Sequence, residues 1–144
     1  MSDAVSSSPL HKKLEIDADH VFTVRNPPTH IRDLLGDAGG AVWQQSLMPP
    51  LDVVITFHTR RDALDLEWPK ITAPLPPDGA LWVAYPRPTS EVATDITEDS
   101  LKASRLKKGW LDTKVLGIDD TWIAVRFVKK PTQLRPKDNA RKKR

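Results

Sequence analysis

Apolar residues along this chain fall into short β-prone runs, separated by stretches of helical or turn-forming character. Val21-Phe22-Thr23-Val24 is the first run, and Arg25-Asn26-Pro27-Pro28 ends it. Pro28 suits the first turn of a short helix over Thr29 to Leu35, where its missing N–H costs nothing. Gly36, Gly39 and Gly40 close that unit. Ala41 to Ser46 reads as a second strand, placed at an edge by Gln44 and Gln45. Leu51-Asp52-Val53-Val54-Ile55-Thr56-Phe57 is nearly continuously apolar and β-branched, as a central strand covered on both faces should be. Arg60 to Leu66 has helical spacing at Ala63, Leu64 and Leu66. Pro69 then predicts two short helical pieces, with Pro69 opening the second. Pro74, Pro76 and Pro77 force a turn before Gly79, and Ala80 to Tyr85 is the next strand.

Glu98 to Lys108 is the clearest helix. Thr97 or Asp95 can cap its start, and Glu98 and Asp99 occupy its first turn. Lys107 and Lys108 occupy its last turn, and Gly109 follows where a left-handed residue is wanted. Leu111 to Ile118 and Thr121 to Lys129, joined by Asp119-Asp120, form a hairpin that Pro131 stops. Strands alternating with helices imply a mostly parallel sheet with right-handed crossovers. The expected fold is therefore a single α/β domain over residues 12–131. It is a small three-layer Rossmann-like sheet, mostly parallel, ending in an antiparallel C-terminal β-hairpin. Residues 1–11 and the basic stretch 132–144 are expected to be disordered.

A chain of 144 residues can bury a core without covalent staples. It has no Cys, which excludes disulfides, thiolate zinc sites and a Cys nucleophile. The Ser-rich start lacks the apolar stretch of a secretory signal, and no apolar run approaches a membrane span. A soluble, cytoplasmic protein with no membrane partner is expected. The charge is divided unevenly. Lys129 to Arg144 holds eight Lys/Arg and one Asp, net +7, whereas Met1 to Val128 holds 14 Lys/Arg and 18 Asp/Glu, net −4. Basicity thus belongs to the tail. Arg135, Lys137, Arg141, Lys142, Lys143 and Arg144 can hold nucleic acid only weakly, through phosphates and without sequence preference. A solvating role for the same tail is an equal alternative.

Three units carry a family resemblance. The first is Leu51-Asp52-Val53-Val54-Ile55-Thr56-Phe57. The second is Asp78-Gly79-Ala80-Leu81-Trp82-Val83-Ala84-Tyr85-Pro86-Arg87 with Thr94-Asp95-Ile96. The third is Gly109-Trp110-Leu111-Asp112-Thr113-Lys114-Val115, running to Ile118-Asp119 and Trp122. Together with Lys12-Lys13-Leu14-Glu15-Ile16, they resemble a small bacterial family known as domain of unknown function 3052, from about His11 to Lys130. The chain departs from that family's pattern at Asn26, where a small residue commonly precedes the Pro. The family has no established activity. The resemblance implies a fold similar to the C-terminal half of an S-adenosylmethionine-dependent methyltransferase, and a fold does not fix a function.

Such a methyltransferase uses a glycine-rich turn after its first strand and an acid at the end of its second. Here the turn is Arg25-Asn26-Pro27-Pro28, in which two prolines remove two N–H donors. The second strand ends in Gln44-Gln45-Ser46. Both features are missing, which argues against an active methyltransferase and against a cofactor, S-adenosylmethionine being the one candidate. The remaining candidate is a ligand groove at the carboxyl ends of the parallel strands. Its residues are Asn26, His58, Thr59, Arg60, Tyr85 and Arg87, with Ser90, Thr94 and Asp95 close behind. Arg60, Arg61 and Arg87 could converge there on a small anionic ligand, because guanidinium matches phosphate and carboxylate bidentately. The plainer reading is preferred: Arg60 and Arg61 solvated at a helix start, Arg87 paired with Asp95, and Tyr85 in the core.

None of His11, His20, His30 and His58 pairs with another at metal-ligand spacing, so no metal is expected. His58, at a strand end, is the one placed for acid–base work. Trp82 and Trp122 read as core. One of Trp43, Trp68 and Trp110 is expected to be partly exposed. The expected function is a non-catalytic or cryptic ligand- or partner-binding domain. The alternatives are a degenerate or partner-dependent S-adenosylmethionine-dependent methyltransferase and an accessory nucleic-acid binder acting through the tail.

Overall fold

A computed structural model describes residues 9–131. The tail residues proposed for nucleic acid, Arg135 to Arg144, lie outside it, as does Met1 to Ser8. Six strands form one sheet: β1 (Val21–Arg25), β2 (Val42–Trp43), β3 (Val53–Phe57), β4 (Ala80–Pro86), β5 (Trp110–Gly117) and β6 (Trp122–Lys129). The helices are α1 (Leu10–Lys13), α2 (Ile31–Leu35), α3 (Arg61–Thr72) and α4 (Glu98–Lys107). The strand order is β2-β1-β3-β4-β6-β5. The first four strands are parallel, and β6 runs antiparallel to both β4 and β5. This is the mostly parallel Rossmann-like sheet with a C-terminal hairpin that the pattern predicts.

Alternation along β3 and β4 builds the three layers. Val54, Leu81, Val83 and Tyr85 face one side, where Leu64, Trp68 and Ile71 of α3 and Leu101 of α4 cover them. Val53, Ile55, Phe57, Trp82 and Ala84 face the other, covered by Leu10 of α1 and by Ile31 and Leu35 of α2. All five residues of β3 and all seven of β4 are buried, which explains why both runs are apolar throughout.

Three sequence expectations are corrected. First, order begins before residue 12. Pro9 opens α1, its carbonyl accepting from Lys12 and Lys13. Leu10 and Leu14, one turn apart, are both buried, and Trp82 Nε1 donates to the Leu14 carbonyl at 3.0 Å. Second, α3 is one helix with Pro69 inside it. Leu64, Trp68 and Ile71 share one buried stripe, so unbroken packing outweighs the hydrogen bond that Pro69 cannot make. Third, the second strand is reduced to the Val42–Trp43 pair: the Gln44 N–H still donates to the Phe22 carbonyl at 2.8 Å, and beyond it the chain turns away, with the Gln44 side-chain amide donating to the carbonyls of Ser46 and Met48.

The clearest predicted helix is observed with its predicted ends. Thr97 caps α4 in a reciprocal box with Ser100, and Gly109 follows at φ +89°. β5 forms the sheet edge. There Lys114 pairs with Glu15, and Lys102 lies 3.6 Å from Asp112, so the edge carries charges that deter pairing with another strand.

Candidate ligand cleft at the strand tips

The chain leaves β1 for β2 on one side and returns to β3 on the other. A doubly wound sheet opens a crevice at such a reversal, outside the carboxyl ends of the strands. A cleft of about 290 Å³ lies there. Asn26 from the tip of β1 and Phe57, His58, Thr59 and Arg60 from the tip of β3 line it. Ala63 and Glu67 of α3 and Trp122 of β6 complete it.

Asn26 takes φ +54°, and its Nδ2 donates to the Phe57 carbonyl at 3.1 Å, tying the two strand tips together. A short polar residue tolerates this left-handed backbone. His58 is buried, and its Nε2 lies 2.6 Å from Thr56 Oγ1. Burial lowers its pKa, and the cations Arg25 and Arg105 act in the same direction, while Glu67 opposes them. The imidazole is therefore neutral at neutral pH. Arg25 Nη2 donates to Glu67 Oε1 at 2.8 Å, and this hydrogen bond holds the Glu67 carboxyl below its ordinary value despite some desolvation. Trp122 is partly exposed and meets Phe57 edge to face, with ring centroids 5.1 Å apart. Arg60 is the cleft's accessible cation: its side chain is 64% exposed, 3.8 Å from Asp95 and 4.0 Å from Asp62. The set suits a small polar ligand that offers a flat ring to Trp122 and an anionic group to Arg60.

The other predicted residues are placed elsewhere. Tyr85 is core, packed with Ile96 and Leu101 on the α3–α4 side, and burial pushes its hydroxyl pKa up. Arg87 does not pair with Asp95. Its Nε donates to the Asp119 carbonyl at 2.7 Å, and its guanidinium lies against Gly117, where a Cβ would fall 2.1 Å from Nη2. The hairpin turn has captured it. Ser90 sits in a turn, its N–H donating to the Arg87 carbonyl. Thr94 Oγ1 donates to the Thr59 carbonyl at 2.7 Å, and Asp95 Oδ1 accepts the Arg61 N–H at 2.7 Å. Thr94 and Asp95 thus brace the start of α3. The three arginines proposed to converge do not.

Sequence reasoning missed Glu67 and Trp122. Arg60, Ala63 and Glu67 are spaced i, i+3, i+7, so one helical face turned toward β1 was the available signal. Trp122 looked like core because its strand is apolar. Trp43 is the partly exposed member of its group, while Trp68 and Trp110 are buried. Asp17, Asp19 and His20 approach one another in an exposed loop, but His20 Nδ1 already accepts the Asp17 N–H. No helix among the described residues is long and apolar enough to cross a membrane.

No protein-family model matches the chain. No curated protein matches it either. The resemblance to domain of unknown function 3052 therefore rests on the residues quoted for it. Among solved structures the fold is similar to DhpI in complex with SAH, at 14% identity and a TM-score of 0.55, over 90% of this chain and 86% of that one. It is similar to DhpI in a SAM–HEP complex at 13% identity and TM-score 0.52, over 87% and 86%. LepI with SAH and a substrate analogue matches at 12% identity and TM-score 0.52, over 88% of this chain and 48% of that one. The chain has a Rossmann-like α/β fold similar to that of DhpI. The likeness extends over most of the DhpI chain and over about half of the LepI chain.

The residues at the strand tips do not fit the usual way such a fold holds S-adenosylmethionine. Pro27 and Pro28 supply no N–H after β1, and the Asn26 amide is committed to Phe57. Gln44, after β2, is committed to Ser46 and Met48, and offers no carboxylate to ribose hydroxyls.

Proposed function

We propose that this domain is a degenerate methyltransferase that binds an adenosyl-type ligand in the cleft between β1 and β3 without transferring a methyl group on its own. The observation that carries the reading is the cleft's position at the reversal point of a sheet similar to that of SAH-bound DhpI. With the glycine-rich turn gone, affinity must come from Trp122, Arg60 and the neutral His58. Weak, millimolar-range binding is expected from so few contacts.

The test is a backbone amide NMR titration of the full chain with S-adenosylmethionine and, separately, with SAH. Saturable shifts confined to Asn26, His58, Arg60 and Trp122 are expected. The absence of shifts at millimolar ligand would overturn the adenosyl reading and leave a cleft for another small anion or a protein partner.

A further inference from the structure

The groove between α3 and α4 carries chemistry that the strand-tip cleft does not use. Arg105, in the last turn of α4, has a side chain only 2% exposed. Burying a guanidinium is costly unless its donors are paired. Nη2 pairs with the Asp65 carboxylate, Nε donates to Ser104 Oγ at 3.3 Å, and the group stacks 4.3 Å from the centroid of Trp68. Nη1 is buried and has no partner among the described residues. A native fold rarely leaves such a donor idle, and an unfilled ligand position is one standard reason.

Beside it lies a cavity of about 30 Å³ whose polar lining is Arg61, Asp65, Ser100, Ser104 and Arg105. It is continuous in its lining with an outer groove of about 480 Å³, which shares those five residues and adds Lys107 and Lys108. Four cations therefore surround one carboxylate. The Ser100 and Ser104 hydroxyls already donate to the Thr97 and Leu101 carbonyls, so the donors left for a ligand are the cations. The inner cavity has room for about one water-sized atom group, and the outer groove has room for the rest of a small anion.

We propose that the α3–α4 groove is a binding site for a phosphate group, free or as a phosphomonoester. One phosphate oxygen accepts from Arg105 Nη1, and Arg61, Lys107 and Lys108 neutralise the others. Asp65, whose side chain is 53% exposed, is the internal competitor that holds Arg105 when phosphate is absent. A dianion is favoured over a monoanion because it must outcompete this carboxylate.

The experiment is an NMR titration of the full chain with inorganic phosphate and with phenyl phosphate, using chloride at matched ionic strength as reference. The amides of Ser100 to Lys108 and the Arg105 Nε–H are read. Saturable shifts with phosphate and not with chloride are expected. Asp65→Asn removes the competitor and should tighten binding about tenfold, while Arg61→Ala with Lys108→Ala should weaken it about as much. Tighter binding of phenyl phosphate identifies an ester as ligand, and equal affinity identifies the free ion. Phosphate acting no more strongly than chloride on both the wild type and Asp65→Asn overturns the proposal and leaves only a buried water on Nη1. Shifts that Arg61→Ala with Lys108→Ala leaves unaltered place the anion elsewhere and overturn it too. Should Asp65→Asn fail to fold, the wild-type and Arg61→Ala/Lys108→Ala titrations still decide. Failure of the adenosyl titration leaves this result untouched, since the probe and the residues differ.

Discussion

Arg87 stands at the tip of a central strand, where a ligand contact and a pair with Asp95 were the two readings, yet its geometry is that of a clamp on the hairpin. Replacing it with Ala tests that assignment. The Nε–H bond to the Asp119 carbonyl is short, 2.7 Å, and charge-assisted. Bonds of that kind contribute about 1.5–3 kcal/mol, and the lower end applies here because the turn is accessible enough for water to replace the donor. Loss of the guanidinium packed against Gly117 adds several tenths, so the expected cost is about 2 kcal/mol. The backbone bond from Arg87 N to the Thr121 carbonyl survives the substitution and keeps the loss local. For a domain of this size the melting temperature should fall by about 6–10 °C.

Gly117→Ala offers an independent route to the same loss, since its Cβ would displace the guanidinium. The double variant should therefore cost clearly less than the sum of the two single ones. Guanidinium denaturation followed by tryptophan fluorescence gives all four stabilities. An Arg87→Ala variant within about 0.5 kcal/mol of wild type, or strict additivity with Gly117→Ala, would refute the clamp.

His58 is held neutral by burial, so the unfolded chain binds its proton more readily than the folded one. The stability it contributes is present above the ordinary histidine value and declines as pH falls through the lower folded value. Denaturation midpoints measured between pH 7.5 and 5 should drop more for wild type than for His58→Gln, and parallel curves would contradict the buried neutral imidazole. Pro69 leaves the Asp65 carbonyl without its helical donor, and Pro→Ala there should raise stability by about 1 kcal/mol, after allowing for the extra freedom Ala gives the unfolded chain. An unchanged or lowered midpoint in urea would show that the packing of α3 has already absorbed the proline.

Much of this fold was legible in the order of residues. The apolar runs Leu51–Phe57 and Ala80–Tyr85 read as strands, and the strands observed there, β3 and β4, are buried throughout. Thr97, one of two caps the sequence offered, and the glycine at 109 bracket α4, because capping depends on residues within one turn of each other, while the reciprocal bond from Ser100 was not anticipated. Local chemistry also marked Asn26, His58 and Arg60 as strand-tip residues, and the structure brings these three into one cleft.

What the tertiary structure decided is who meets whom. Glu67 joins the cleft because α3 lies across the tip of β1, 42 residues away from its partner Arg25. Arg87 leaves it because the Asp119 turn, 32 residues on, arrives beside β4 when β6 inserts between β4 and β5. Arg105 looks like one more basic residue near a helix C-terminus. The packing of Trp68 and Asp65 against it converts it into a buried cation with an idle donor. Propensity, capping and periodicity act between neighbours in sequence and can be read along the chain. Strand order and helix docking are settled by the burial of whole faces against each other, and no short stretch of sequence contains that information.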